Sequence, residues 1–220
     1  MVKHRQMNIM RSIAFLSQKG GSGKTTLAVH VAVAACEAQE KVVLIDTDPQ
    51  GSAADWGAAR KRAGIEGPPG IEKASAATLT SAIERARNDG MTLAVIDMAP
   101  HATAGVDIIA SAADFLLIPC RASAFDLRAI AASVNVAKAA RKPAAFILNA
   151  CDARIPEVME AKTVLARHGL QVAPIDIGQR VPFARAVASG LSVTEFDARG
   201  KAALEIGELW RWIKKQLGSL

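Results

Sequence analysis

The chain has 220 residues, of which 50% are hydrophobic and only 4% aromatic, with no tyrosine and a formal net charge of +6. That length and apolar content support a well-buried core, yet no apolar run reaches the roughly 18–20 residues that a membrane-spanning helix needs. The basic balance fits a polyanionic partner such as DNA or an acidic membrane surface, while the scarcity of aromatic rings argues against a stacking platform for single-stranded nucleic acid.

In chain order, residues 1–10 read as a loose basic arm without the apolar stretch of a secretory signal, and residues 11–220 as one domain. Short apolar runs at 13–16, 42–45, 93–96, 115–118, 145–148 and 171–173 predict strands. Their apolar residues are continuous rather than alternating, as expected for a parallel sheet covered on both faces. Alanine-rich stretches at 25–38, 52–62, 78–88, 125–140 and 155–168 predict the helices between them. The alternation is that of a doubly wound α/β fold with helices on both faces of a mostly parallel sheet. Residues 64–70, with Pro68 and Pro69, read as a surface loop. Cys36, in a helical run, Cys120, at a strand end, and Cys151 are odd in number and form no C-x-x-C pair. They suggest neither a disulfide framework nor zinc, and Cys36 and Cys120 read as buried thiols of a reducing cytosol.

In such folds the site lies at the carboxyl ends of the strands, so each strand exit carries information. After the first strand comes Gln18-Lys19-Gly20-Gly21-Ser22-Gly23-Lys24-Thr25-Thr26. Gly20, Gly21 and Gly23 permit backbone conformations that let several N–H groups converge on one anion. Lys24 is suited to the β- and γ-phosphates, Thr25 to Mg²⁺, and the following helix adds its positive end. The general phosphate-loop pattern G-x-x-x-x-G-K-[ST] would put its first glycine at Gln18; here an extra lysine, Lys19, precedes the double glycine instead.

After the second strand, Asp46 and Asp48 are spaced so that both face one side of extended chain. After the third, Asp97 ends an apolar run, a pattern that suits a carboxylate held near Mg²⁺; His101 reads as a loop residue. Asp126 reads as a cap of the helix that follows it. Asn149 closes the fifth strand. Its amide suits an adenine edge, and equally an asparagine that tolerates a tight turn. Arg180, Arg185, Arg199 and Lys201 form the basic carboxyl-terminal third, which reads as a DNA surface or as an ordinary solvated basic face. Ile206, Trp210, Ile213 and Leu217 share a stripe of the last helix. That stripe reads as core packing, with a membrane-binding amphipathic tail as the alternative.

The loop form K-G-G-x-G-K-[ST], the D-x-D-P-Q segment at 46–50 and the carboxyl-terminal runs at 179–185, 189–193 and 199–201 resemble the ParA/MinD family of dimerising ATPases, the small plasmid-partition ParA type most of all. The resemblance spans residues 11–220. It implies a P-loop NTPase fold of the deviant Walker A type, with ATP and Mg²⁺ as cofactors. Gly20, Gly21, Ser22, Gly23, Lys24, Thr25 and Thr26 would hold the phosphates, Asn149 the adenine, and Thr25, Asp46 and Asp97 the metal. Lys19 would reach the partner subunit's nucleotide, and Asp48 would position the attacking water. The segment at 119–126, often proline-rich in relatives and packed at the dimer interface, keeps only Pro119. The implied activity is a weak ATPase stimulated by a ParB-like or small adaptor protein, in a cytoplasmic, nucleoid-associated homodimer that binds DNA non-specifically through Arg180, Arg185, Arg199 and Lys201. A MinD-like membrane-associated regulator is the alternative.

Overall fold

A computed structural model describes residues 10–100, 105–152 and 156–220. Nine residues of the expected amino-terminal arm, His101, and the start of the helix expected at 155–168 lie outside the described residues. In chain order the elements are β1 (Arg11–Phe15), α1 (Lys24–Glu37), β2 (Val42–Asp46), α2 (Ser52–Arg62), β3 (Gly70–Lys73), α3 (Leu79–Asn88), β4 (Leu93–Asp97), α4 (Val106–Ala112), β5 (Phe115–Cys120), α5 (Ala124–Ala140), β6 (Ala144–Leu148), α6 (Glu157–Ala166), β7 (Gln171–Val172), α7 (Val181–Ala188), α8 (Val193–Phe196) and α9 (Lys201–Leu217).

The strands form one seven-stranded sheet in the order β3-β2-β4-β1-β5-β6-β7, and every pairing is parallel. The chain steps outward from β1 through β2 to β3, returns to β4 beside β1, and then continues on the other side through β5, β6 and β7. Side chains alternate between faces along each strand. Ile13 and Phe15 of β1 therefore join α1, α2 and α7–α9 in one core layer, while Ala14 and Leu16 join α3–α6 in the other. Both layers are apolar, which is why the central strands are continuous apolar runs.

The strand β3, which the sequence reading did not expect, begins at Gly70, the last residue of the loop expected at 64–70. It is an edge strand carrying one large apolar residue, Ile71, so it lacks the signature of a buried strand. Pro119, the residue left of the expected interface segment, is buried inside β5 opposite Ile147 rather than displayed. Cys120 and Cys151 are buried, but Cys36, expected in the core, is half-buried.

The membrane alternative loses its apolar face in this arrangement. Ile206, Trp210, Ile213 and Leu217 of α9 are all buried in the layer that contains α1. Among the described residues no helix is long and apolar enough to cross a membrane.

The carboxyl-terminal elements are fastened to α1 and α2 by polar groups that the sequence reading did not single out. Arg60 of α2 is buried beside Trp56 and donates to Gly190 O at 3.1 Å, to Glu195 Oε2 at 2.8 Å and to Glu195 Oε1 at 2.6 Å. Gly190, at φ +71°, allows the approach: a Cβ there would lie 2.5 Å from Arg60 N. His30 of α1 is fully buried and accepts from Val193 N–H through Nδ1 at 3.2 Å.

Burial pulls the His30 pKa from 6.5 down to about 3, against a smaller upward pull from Glu195. A folded pKa depressed in a base means that below 6.5 the unfolded chain takes up a proton that the folded chain refuses. The associated stability is complete above pH 6.5 and is lost progressively as pH falls toward 3, by about 1.4 kcal/mol per pH unit. His30→Gln keeps an acceptor for Val193 N–H and removes the titration. Urea unfolding between pH 6.5 and 4.5 is expected to show a shallower pH slope in the variant, by about 1.4 kcal/mol per unit. Equal slopes would show that His30 does not titrate in this way.

Candidate nucleotide site

The loop between β1 and α1 is shaped by two left-handed glycines, Gly21 at φ +75° and Gly23 at φ +95°. Gly23 is the N-cap of α1 and supplies no side-chain acceptor. The first N–H groups of this 14-residue helix are thus left for an anion. Asn149, at the end of β6, braces the loop by donating its side-chain N–H to Ser22 O at 2.7 Å. The packing there is tight: a Cβ on Gly23 would fall 2.0 Å from Asn149 Nδ2. The amide expected to meet adenine is here seen holding the phosphate loop against the sheet. Ser133 of α5 fixes the loop's other side by accepting from Gln18 N–H at 3.1 Å.

Gly21, Gly23, Lys24, Thr25, Thr26 and Asp48 line one cavity of about 250 Å³. Gly20 is exposed at the loop's crest, and Ser22 is buried behind it. Lys24 is only 5% exposed, and among the described residues its ammonium makes one long contact, 3.5 Å to Lys19 O. Burial lowers its pKa, while Asp97 and Asp48 act in the opposite direction. Lys19 points elsewhere. Its Nζ lies 2.8 Å from Asp126 Oδ1 of the same chain, with its side chain 39% exposed. Asp126 was expected to cap α5, but Ser123 is the cap and accepts from Asp126 N–H at 3.2 Å. Asp126, in the first turn, accepts from the Ser123 hydroxyl through Oδ2 and presents Oδ1 to Lys19.

The carboxylates divide their tasks. The sheet register sets Asp46 directly opposite Asp97. Asp46 Oδ1 accepts from Asp48 N–H at 3.0 Å and Oδ2 from Ala54 N–H at 2.9 Å. Asp46, expected beside the metal, thus ties the β2–α2 loop to the first turn of α2. Asp48 Oδ1 accepts from Gln50 N–H at 2.9 Å, while the residue itself lines the cavity. Asp97 is 0% exposed, and among the described residues neither carboxylate oxygen has a hydrogen-bond partner. Burial pushes its pKa up from 3.8 to about 7. The Thr25 hydroxyl and Lys24 oppose that rise without completing a hydrogen bond, and the negative charges of Asp46 and Asp48 add to it.

An orphaned buried carboxylate beside a threonine hydroxyl is the donor set that a small hard cation takes when phosphate oxygens fill its remaining positions. No cluster of three or more His, Cys, Asp or Glu side chains suited to a metal occurs among the described residues. Thr25 and Asp97 therefore fit a cation that arrives with a phosphate ligand.

Residues 13–193 match the CobQ/CobB/MinD/ParA nucleotide binding domain. The chain belongs to this family. It is a nucleotide-binding ATPase of the ParA/MinD type. It is 34% identical over 211 residues to the maintenance of carboxysome distribution protein A of Gloeobacter kilaueensis, with 94% of each chain covered. It is 28% identical to the protein IncC of Escherichia coli, covering 91% of this chain and 68% of that one. The cell division ATPase MinD of Pyrococcus furiosus shares the fold, with a TM-score of 0.77 at 17% identity, covering 94% of this chain and 99% of that one.

The basic residues of this ParA/MinD-type chain are only partly brought together. Arg180 is turned inward onto Glu205, with Nε 3.1 Å from Oε1 and 3.2 Å from Oε2. That pair holds α7 to α9 and leaves Arg180 a poor candidate for phosphate contact. Arg185, Arg199 and Lys201 are exposed. Lys201 shares a cavity wall with Ala184, the neighbour of Arg185, so α7 and the start of α9 present their charges on adjoining surfaces.

Asp97→Asn removes the buried charge but keeps the shape. For an acid whose folded pKa is raised, the unfavourable charging sets in as pH climbs from 3.8 past about 7. At pH 8 without divalent cations the variant is expected to be more stable than the parent, on the order of 2 to 4 kcal/mol in urea unfolding, while losing ATP hydrolysis. Equal or lower stability of the variant would show that the carboxylate is satisfied in the free protein.

Proposed function

We propose that the chain is an ATP-driven dimerising switch that binds DNA non-specifically and distributes a large cargo. The observation that carries this reading is the unequal placement of two lysines in one loop: Lys24 is buried in the phosphate cavity, whereas Lys19 is half-exposed and held by Asp126. Within the reading, Lys24 and the N–H groups at the start of α1 bind the β- and γ-phosphates. Thr25 and Asp97 would hold Mg²⁺, which would supply neutralising charge beside the phosphates. Asp48, at the cavity edge, orients the attacking water, in a reaction that depends chiefly on positioning. Asp46 keeps Asp48 in place through its backbone. The base extends past Asn149 toward the end of β6.

Lys19 is the switching element. A half-exposed ion pair such as Lys19–Asp126 contributes only about 0.2–1 kcal/mol. A γ-phosphate on a second protomer, carrying more charge, can draw Lys19 across. Two copies then close face to face, and loss of the γ-phosphate reopens them. Residues 11–220 act as one ATPase domain, and an adaptor protein of the ParB type or smaller stimulates hydrolysis. Arg185, Arg199 and Lys201 supply the DNA-binding charge on the nucleoid, so retention weakens steeply with salt. The relative named for maintaining carboxysome distribution supports a large assembly as the cargo.

Sizing with a non-hydrolysable ATP analogue tests this reading. The parent protein is expected to elute as a dimer with the analogue and as a monomer with ADP. Lys19→Ala should remain monomeric while binding the analogue within about threefold of the parent, because the pair it loses is weak. Lys24→Ala should lose nucleotide affinity by about a hundredfold or more. A parent protein saturated with analogue yet monomeric would contradict the reading. Asp48→Ala should bind ATP, dimerise and stay on DNA, with turnover about a hundredfold slower. Unchanged turnover would remove Asp48 from the mechanism.

A further inference from the structure

A cavity of about 840 Å³ lies at the β3 edge of the sheet, and no residue of the phosphate loop lines it. Its walls are α2, the loop before β3, and β3 itself. Gly57, Ile65, Pro69 and Ile71 supply apolar surface, and Lys61 and Lys73 supply charge. Gly57 lets the strand lie close to the helix: a Cβ there would fall 2.2 Å from Ile71 Cδ1.

β3 is the last strand on its side, so one row of its backbone groups meets no further strand among the described residues. Such an edge is a template for another chain. Ala74 N–H donates inward to Asp46 O at 3.0 Å. Backbone direction alternates along a parallel strand, so Glu72 also faces β2, while Ile71 and Lys73 turn N–H and C=O outward. Ile71 and Lys73 line the cavity as well, whereas Glu72 lies on the other face, paired with Arg85 of α3. The free edge and the apolar trough are therefore offered by the same two residues.

The charge of the trough is positive where it is free. Arg60 belongs to the lining but is engaged by Glu195. Lys61 and Lys73 are exposed, and neither is in an ion pair among the described residues. Glu66, on the loop, is the one carboxylate that lines the cavity without such a partner. α2 runs back from the carboxyl ends of the strands toward their amino ends. Lys61, in its last turn, and Lys73, at the end of β3, thus stand at opposite ends of the trough.

We propose that this edge takes up an extended acidic segment of a partner protein as an added strand, with a carboxylate at each end of the trough and an apolar residue between them. Main-chain bonds to Ile71 and Lys73 would give affinity, and alternate side chains selectivity. Side chains two residues apart share a face, so the pattern acid-x-apolar-x-acid sets all three on the trough over about 13 Å. A DNA duplex matches the lysines but neither the apolar floor nor the strand edge.

The test is titration of the 220-residue chain with the peptide Gly-Ser-Glu-Thr-Leu-Thr-Glu-Ser-Gly, followed by fluorescence anisotropy and backbone amide NMR. Binding is expected to shift the amides of Ile71 and Lys73 and to slow their hydrogen exchange. Lys61→Glu combined with Lys73→Glu should weaken the peptide by about tenfold or more with an unchanged far-UV circular dichroism spectrum. Of two peptides, one N-methylated at Glu and Leu and one at both Thr, one should lose binding and the other keep it, because only alternate N–H groups face β3. A peptide that fails to bind or moves no amide of β3 overturns the proposal. So does an affinity that the lysine variant leaves unchanged, or equal binding of both methylated peptides. A short DNA duplex that moves the same amides more strongly than the peptide would assign the surface to nucleic acid instead.

Discussion

Lys24 and Asp97 are opposite charges, both buried at the carboxyl edge of the sheet, and among the described residues neither completes a strong bond. The rest of the site follows from that incompleteness. A buried ammonium and a buried carboxylate cost several kcal/mol when left without partners. Their pKa shifts, downward for Lys24 and upward for Asp97, are the signature of that cost. In the proposed function, a triphosphate with its cation would supply the missing charge on both sides. The protein holds in advance the geometry that the ligand will complete, so little reorganisation remains when it arrives.

The fold makes this affordable by building the site on rigid strand ends. Parallel register sets Asp46 level with Asp97, and β1, two strands from β2, delivers the loop between them and β5. Asp46 then spends its charge on two backbone N–H groups and ties the Asp48 loop to α2. At its far end α2 carries Arg60, which grips Gly190 and Glu195. A continuous packed path therefore runs from the phosphate site to the turn after α7, the helix that bears Arg185. Lys19 stands outside this frame, in a weak pair that can be exchanged.

The parts legible in the sequence were those whose chemistry is local. Four-residue apolar runs such as 42–45 and 93–96 gave strands because both faces of the sheet are covered. The glycines and lysines of 18–26 announced the phosphate loop because spacing alone determines which groups converge. What stayed hidden depends on neighbours distant in sequence. The edge strand β3 carries too little apolar surface to show. α7 begins at Val181-Pro182, and a proline in a first turn looks like a break although it is well tolerated there. Asn149 bracing Ser22, Asp126 holding Lys19 and Glu205 capturing Arg180 are contacts across 127, 107 and 25 positions. No local pattern encodes such contacts. Arg180 was indistinguishable from Arg185 until the pairing with Glu205 was visible.

The central claim is that Mg²⁺ and the nucleotide complete a charge cluster left open in the free protein. Calorimetric titration with Mg²⁺ and a non-hydrolysable ATP analogue, repeated in buffers of different ionisation enthalpy, counts the protons exchanged on binding. With the Asp97 pKa at about 7, binding at pH 7 should release about half a proton more from the parent than from Asp97→Asn, and that difference should fade toward pH 9. Release at pH 7 that is the same in the parent and in Asp97→Asn would mean that Asp97 is already charged and satisfied, and the account of the site would be wrong.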